Sequence, residues 1–80
     1  MKVMILAFGI AKDIFGRSSF DMELSSGSTV ANLRKLLEDE YPRLKQLSSF
    51  MIAVNNEYAS PNEVLDQRDE IAIIPPVSGG

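Results

Sequence analysis

The stretch Thr29-Val30-Ala31-Asn32-Leu33-Arg34-Lys35-Leu36-Leu37-Glu38-Asp39-Glu40-Tyr41-Pro42 decides the architecture of this 80-residue chain, because it holds the one long helical pattern. Val30, Leu33, Leu37 and Tyr41 recur at helical spacing, while Arg34, Lys35, Glu38 and Asp39 cover the opposite side. That periodicity predicts an amphipathic helix. Ser28 or Thr29 is placed to cap its start, and with no Glu or Gln three positions beyond either, no capping box is expected. Pro42 disfavours helical geometry at Tyr41 and ends the helix. Arg43 to Ser49 offers one further short turn through Leu44 and Leu47.

The flanks of this helix are strands. Upstream, Met1 to Phe8 is β-branched and aliphatic, with Val3, Ile5 and Ala7 on one face and Lys2, Met4, Leu6 and Phe8 on the other. Ser19 to Ser25 alternates, placing Phe20, Met22 and Leu24 opposite Ser19, Asp21 and Glu23, as in a half-buried antiparallel strand. Between them, Gly9 to Gly16 reads as a strand-end and loop feature without phosphate-cradle spacing. Downstream, Met51 to Asn55 is a third strand, Asn55-Asn56-Glu57 a turn, Glu57 to Ser60 a short edge strand, and Ile71 to Pro75 the last strand. With Ile71 and Ile73 facing the core, Ala72 and Ile74 fall on the face that carries Leu6 and Phe8. This order predicts an α+β fold, a β-grasp with a mixed sheet of four to five strands around one main helix, as a single domain over 1–80. One helix covers one sheet face, so Leu6, Phe8, Tyr58 and Ile74 are expected to form an exposed apolar second face.

Composition removes most chemistry. The chain has no Cys, no His and no Trp, with Lys+Arg 8 against Asp+Glu 11 and a formal net charge of -3. Disulfides, thiolate or imidazole metal sites, cysteine nucleophiles and Ser-His-Asp triads are excluded. The acidic balance lacks the basic stripe that nucleic acid requires. Asp13, Arg17 and the prolines interrupt every apolar run, and Lys2 to Ala11 is too short for a secretory signal, so no membrane partner and a cytoplasmic location are expected. A chain this size buries only roughly three fifths of its extended-chain surface, which leaves little for an enclosed active site. Glu38-Asp39-Glu40 reads as a solvated helix end, and Asp66, Asp69 and Glu70 as a polar turn. Met1, Met4, Met22 and Met51 read as packing residues, and no metal site is expected.

The informative segment is the end, Ile73-Ile74-Pro75-Pro76-Val77-Ser78-Gly79-Gly80. Pro75 and Pro76 remove two ladder donors and stiffen the exit from the strand, while Gly79 and Gly80 have no side chain to obstruct a narrow channel. Residues 75–80 are therefore read as a protruding tail whose reactive group is the α-carboxylate of Gly80. Terminal glycines alone carry little information; coupled to a β-grasp core and Pro-Pro-Val-Ser they carry much more.

That tail, with Asp69-Glu70-Ile71-Ala72, Leu6-Ala7-Phe8-Gly9, Lys12-Asp13, Gly16 and Ala53-Val54-Asn55, resembles the MoaD/ThiS-type ubiquitin-like sulfur carriers, and among them the small subunits of molybdopterin synthase. The resemblance covers essentially the whole chain. Gln67-Arg68 stands where those proteins commonly have Asp-Gly, and Asn56 where Asn-Gly is common, so Arg68 is expected to be costly if its position requires positive φ. Lys12-Asp13 replaces a frequent Arg-Glu, keeping charge but not bidentate geometry.

The resemblance implies a carrier. A ubiquitin-activating-like adenylyltransferase would use ATP to convert the Gly80 carboxylate to an acyl-adenylate, and a sulfur donor protein would turn this into a thiocarboxylate. Pro75, Pro76, Val77, Ser78 and Gly79 would thread into the large subunit of molybdopterin synthase, where sulfur passes to cyclic pyranopterin monophosphate in molybdenum cofactor biosynthesis. Phe8, Tyr58, Ile74 and Lys12 are the expected partner-binding residues. The assembly implied is a heterotetramer with two small subunits at opposite ends of a large-subunit dimer. No cofactor is expected on this chain, which has no ATP loop, and the catalytic pocket belongs to the large subunit. Two other readings stay open: the same chemistry serving thiamine synthesis, tRNA thiolation or protein modification, and a passive ubiquitin-like interaction module.

Overall fold

The computed structural model describes residues 1–47 and 50–76. Strand β1 (Lys2–Ala7) leads through helix α1 (Ile10–Phe15) to β2 (Ser19–Glu23). Helix α2 (Val30–Glu40) follows, then a 3-10 turn (Pro42–Gln46), β3 (Met51–Val54), β4 (Glu57–Tyr58) and β5 (Glu70–Ile74). The five strands form one sheet in the order β2-β1-β5-β3-β4. β1 and β5 run parallel, and the other pairs are antiparallel. This is the expected β-grasp, with α2 packed on one sheet face.

The core follows the strand parity. Val3, Ile5 and Ala7 of β1 and Ile71 and Ile73 of β5 are buried together with Val30, Leu33 and Leu37 of α2. Leu44 of the 3-10 turn is fully buried as well. Phe15 meets both Phe20 and Tyr41 edge-on, with ring centroids 5.1 Å and 4.8 Å away. This aromatic cluster ties α1, β2 and the end of α2 together.

Three expectations are corrected. Ile10 to Phe15 forms a helix where a loop was expected, held between Gly9 (φ 54) and Gly16 (φ 77). Its buried pair, Ala11 and Phe15, is spaced one turn apart, but six residues give no repeat to detect. The start of α2 does carry a capping box. The Asn32 amide N–H donates to Thr29 Oγ1 (3.2 Å), and the Thr29 N–H donates to Asn32 Oδ1 (3.0 Å), so Asn32 fills the role usually taken by Glu or Gln.

Arg68 escapes the expected strain: among the described residues the non-glycine positions with positive φ are Asn55 and Asn56, at 52° and 72°. The loop before β5 closes through Asp69 instead. Its carboxylate accepts from the Asp66 N–H (2.8 Å) and from Asn55 Nδ2 (2.9 Å), while Asn55 Oδ1 accepts the Glu70 N–H (3.0 Å). An Asx-type closure of this kind needs no glycine. It also confirms Asp66, Asp69 and Glu70 as a polar turn, now linked to the β3–β4 hairpin.

Candidate functional site

The site is built from the end of β5, the central strand. Its backbone pairs with β1 on one side and β3 on the other, and the Phe8 N–H donates to the Ile73 carbonyl at 3.4 Å. Pro75 and Pro76 then offer no N–H, and the strand stops at Ile74. Pro75 leaves against Gly9: a Cβ at Gly9 would stand 3.2 Å from Pro75 Cγ. The bare glycine backbone is what lets the tail leave the sheet so close to the end of β1. Val77, Ser78, Gly79 and Gly80, the predicted inserting and reactive residues, lie outside the described residues.

The sheet face away from α2 is open. Register places Leu6 beside Ala72, Ala72 beside Ala53, and Ala53 beside Tyr58, one row across four strands. A shallow hollow of about 290 Å³ is lined by this row together with Phe8, Ile74 and Asn56. Phe8 is 51% exposed and Tyr58 67%, so both keep apolar area for a partner to bury. Three predicted partner residues, Phe8, Tyr58 and Ile74, thus come together beside the tail. Lys12 does not join them: it sits exposed on α1 and is not part of the hollow's lining.

Met4 and Met51 belong to this open face and are corrected from packing residues to exposed ones, at 39% and 46%. Met51 lies beside Ile74, and Met4 precedes Leu6 on the same face of β1. The β1 alternation already assigned Met4 to this side; Met51 needed the β3–β5 register. Met1 and Met22 do pack against the core. Among the described residues no charged side chain lines the hollow, and its polar side-chain groups are the Asn56 amide and the Tyr58 hydroxyl, so it is suited to docking rather than proton transfer. Among the described residues no group of three or more His, Cys, Asp or Glu could hold a metal ion, and no helix is long and apolar enough to cross a membrane.

A sheet with one open apolar face, a strand ended by two prolines beside it and Gly-Gly at the last positions is the pattern to compare with known proteins. The ThiS family profile matches residues 5–80. The chain belongs to the ThiS family. This ThiS-family chain is 41% identical over 80 residues to the molybdopterin synthase sulfur carrier subunit of Dictyostelium discoideum, with 95% of this chain and 93% of that one covered. In structure it matches a chain of the protein–protein complex of subunits 1 and 2 of molybdopterin-converting factor from Helicobacter pylori, at TM-score 0.71 and 27% identity, covering 100% of this chain and 100% of that one. It also matches the small archaeal modifier protein 1 of Methanosarcina acetivorans, at TM-score 0.78 and 28% identity, covering 99% of this chain and 96% of that one.

Proposed function

We propose that this chain is the sulfur-carrier subunit of a molybdopterin synthase and that Gly80 carries the sulfur. The observation that supports this most is the exit of β5 through Pro75 and Pro76 at the margin of an open apolar face, in a chain related throughout its length to named sulfur carriers. Phe8, Tyr58 and Ile74 serve as anchors for a large subunit, and the tail reaches the reacting centre inside it.

Each step has a chemical reason. The Gly80 carboxylate is anionic and resonance-stabilised, hence a poor acyl electrophile. Adenylation by an activating enzyme, with pyrophosphate released from ATP, gives the acyl carbon AMP as a leaving group. Hydrosulfide released by the donor attacks that carbon, displaces AMP and loses its proton, leaving a thiocarboxylate. The thiocarboxylate sulfur then bonds to a carbon of the pterin precursor as a carbon–oxygen bond there breaks and the oxygen leaves with the electron pair; water cleaves the acyl–sulfur bond, and Gly80 returns as a carboxylate. The side chains of this ThiS-family protein bind and position; the acid-base work belongs to partners.

The relationship to the Methanosarcina modifier favours a second use of the same activated carboxylate, acylation of a protein amine. Intact-mass spectrometry after incubation with a ubiquitin-activating-like adenylyltransferase, ATP and a sulfur donor separates these readings. Exchange of oxygen for sulfur at Gly80, followed by its loss to cyclic pyranopterin monophosphate when a large subunit is added, is the expected result. Isopeptide adducts without transfer to the pterin favour the modifier. An unchanged mass, or a chain extended by one residue after Gly80 that still functions, refutes both.

A further inference from the structure

The second feature of this surface lies on the opposite flank of the sheet. Among the described residues β2 is an edge strand, with β1 on one side and no strand on the other. The Leu24 N–H donates to the Met1 carbonyl and the Ala7 N–H to the Ser18 carbonyl, at 2.7 and 2.9 Å. By antiparallel alternation, the even-numbered residues of β2 turn their backbone groups toward β1. Ser19, Asp21 and Glu23 therefore direct their N–H and C=O groups outward along the open edge.

A groove runs beside that edge, between β2 and α2. Two hollows of about 460 and 540 Å³ lie along it and share Glu23, Leu36 and Asp39. Its apolar floor includes Leu36, which is 42% exposed although it lies on the helix that supplies the core. Its charged rim is mostly acidic: Asp21, Asp39, Glu40 and Glu23, whose carboxylate also pairs with the Met1 ammonium at 3.2 Å, outweigh Arg17 and Lys35. Arg17 is further engaged by Phe20, with its guanidinium carbon 4.5 Å from the ring centroid.

From these we infer that the β2–α2 groove docks an extended basic segment of a partner protein, which adds to the sheet as a sixth strand beside β2. Backbone groups of the segment pair with the open edge. Its Lys or Arg side chains lie across from Asp21 and Glu23, and the alternate apolar side chains rest on Leu36. A second copy of this chain is a poor occupant, because antiparallel β2–β2 pairing about Asp21 sets Asp21 against Asp21, and like charges directly opposite destabilise. Asp21 lies beside Met4 on the open sheet face, but no β2 residue lines the Phe8–Tyr58 hollow, and the site does not depend on what Gly80 carries.

The test uses the full chain, isotope-labelled, and a blocked seven-residue peptide alternating lysine and valine. Amide shifts confined to Ser19–Glu23 and Leu36–Tyr41 are expected, and the affinity should fall by roughly tenfold or more in D21K/E23K, given two lost attractions and two new repulsions. Should that variant lose its native spectrum, D39K/E40K on the helix rim reads the same charge dependence. Equal binding by a proline-interrupted peptide that cannot pair, shifts centred on Phe8 and Tyr58, self-association through β2, or no shifts at millimolar peptide would each overturn the inference.

Discussion

Replacing Gly9 with alanine tests how the tail leaves the fold. Gly9 has φ 54 and ψ -132, a backbone corner open to glycine and hostile to an L side chain, for which the cost is roughly 1–3 kcal/mol. The new methyl would also stand 3.2 Å from Pro75 Cγ, tighter than ordinary contact, so either the ring yields or the tail base moves. Gly16 is the internal control. It has φ 77 and ψ 11, in the ordinary left-handed region, with nothing within 4 Å of an added Cβ. Gly16→Ala should cost about 1 kcal/mol and Gly9→Ala visibly more. For a domain this small each 1 kcal/mol moves Tm by roughly 4–8 °C, so Gly9→Ala is expected to lower Tm by roughly 5–20 °C. Urea unfolding followed by circular dichroism, with unchanged m, gives the free energies. A cycle with Pro75→Ala isolates the steric part, since removing the ring should recover roughly 0.5 kcal/mol or more of the Gly9→Ala loss. If Gly9→Ala costs no more than Gly16→Ala and shows no coupling to Pro75, the proposed close passage of the tail is wrong.

Other substitutions probe the hairpin, the helix cap and the docking face. Asn56→Gly removes a side chain from a φ of 72° and should stabilise the fold by up to about 1 kcal/mol, read as a higher urea midpoint; a lower midpoint contradicts it. Thr29→Ala deletes the hydroxyl that accepts the Asn32 N–H and should cost about 1 kcal/mol, whereas no change would mean that water replaces the cap without loss. Phe8→Ala should leave Tm nearly unchanged, because the ring is half exposed, yet weaken binding to a large subunit by roughly tenfold or more in calorimetry. Full affinity with an intact fold would remove Phe8 from the docking surface.

What the chain discloses before folding depends on the range of the interaction. The alternation of β1 and of Ile71 to Ile74, the periodicity of α2 and the stop at Pro75 are local patterns, and each maps onto an observed element within a residue or two. The apolar second face was legible from parity together with the limited cover that one helix provides. Helix α1 was not, because fewer than two turns leave no periodic signature and flanking glycines imitate a loop. The exposure of Met51 depends on which strand β3 joins, a pairing absent from local sequence. Arg68 looked strained by comparison with an Asp-Gly turn, but the turn is closed by Asp69 and Asn55, fourteen residues apart in sequence. Lys12 matched a family position without sharing the hollow, since α1 presents it to solvent elsewhere.

The placement of β5 has a mechanical consequence. Glu70 to Ile73 pairs with Met4 to Ala7, and Ile71 to Ile74 with Met51 to Val54, so a partner that grips the tail pulls β5 along its own axis between two neighbours. Ladder hydrogen bonds lie across the strands, so such a load shears both ladders at once instead of opening them one bond at a time. The short edge strand β4 would peel under far less force. On the proposed function, a tail seized, drawn into a channel and withdrawn would be anchored to the strand best placed to resist the pull.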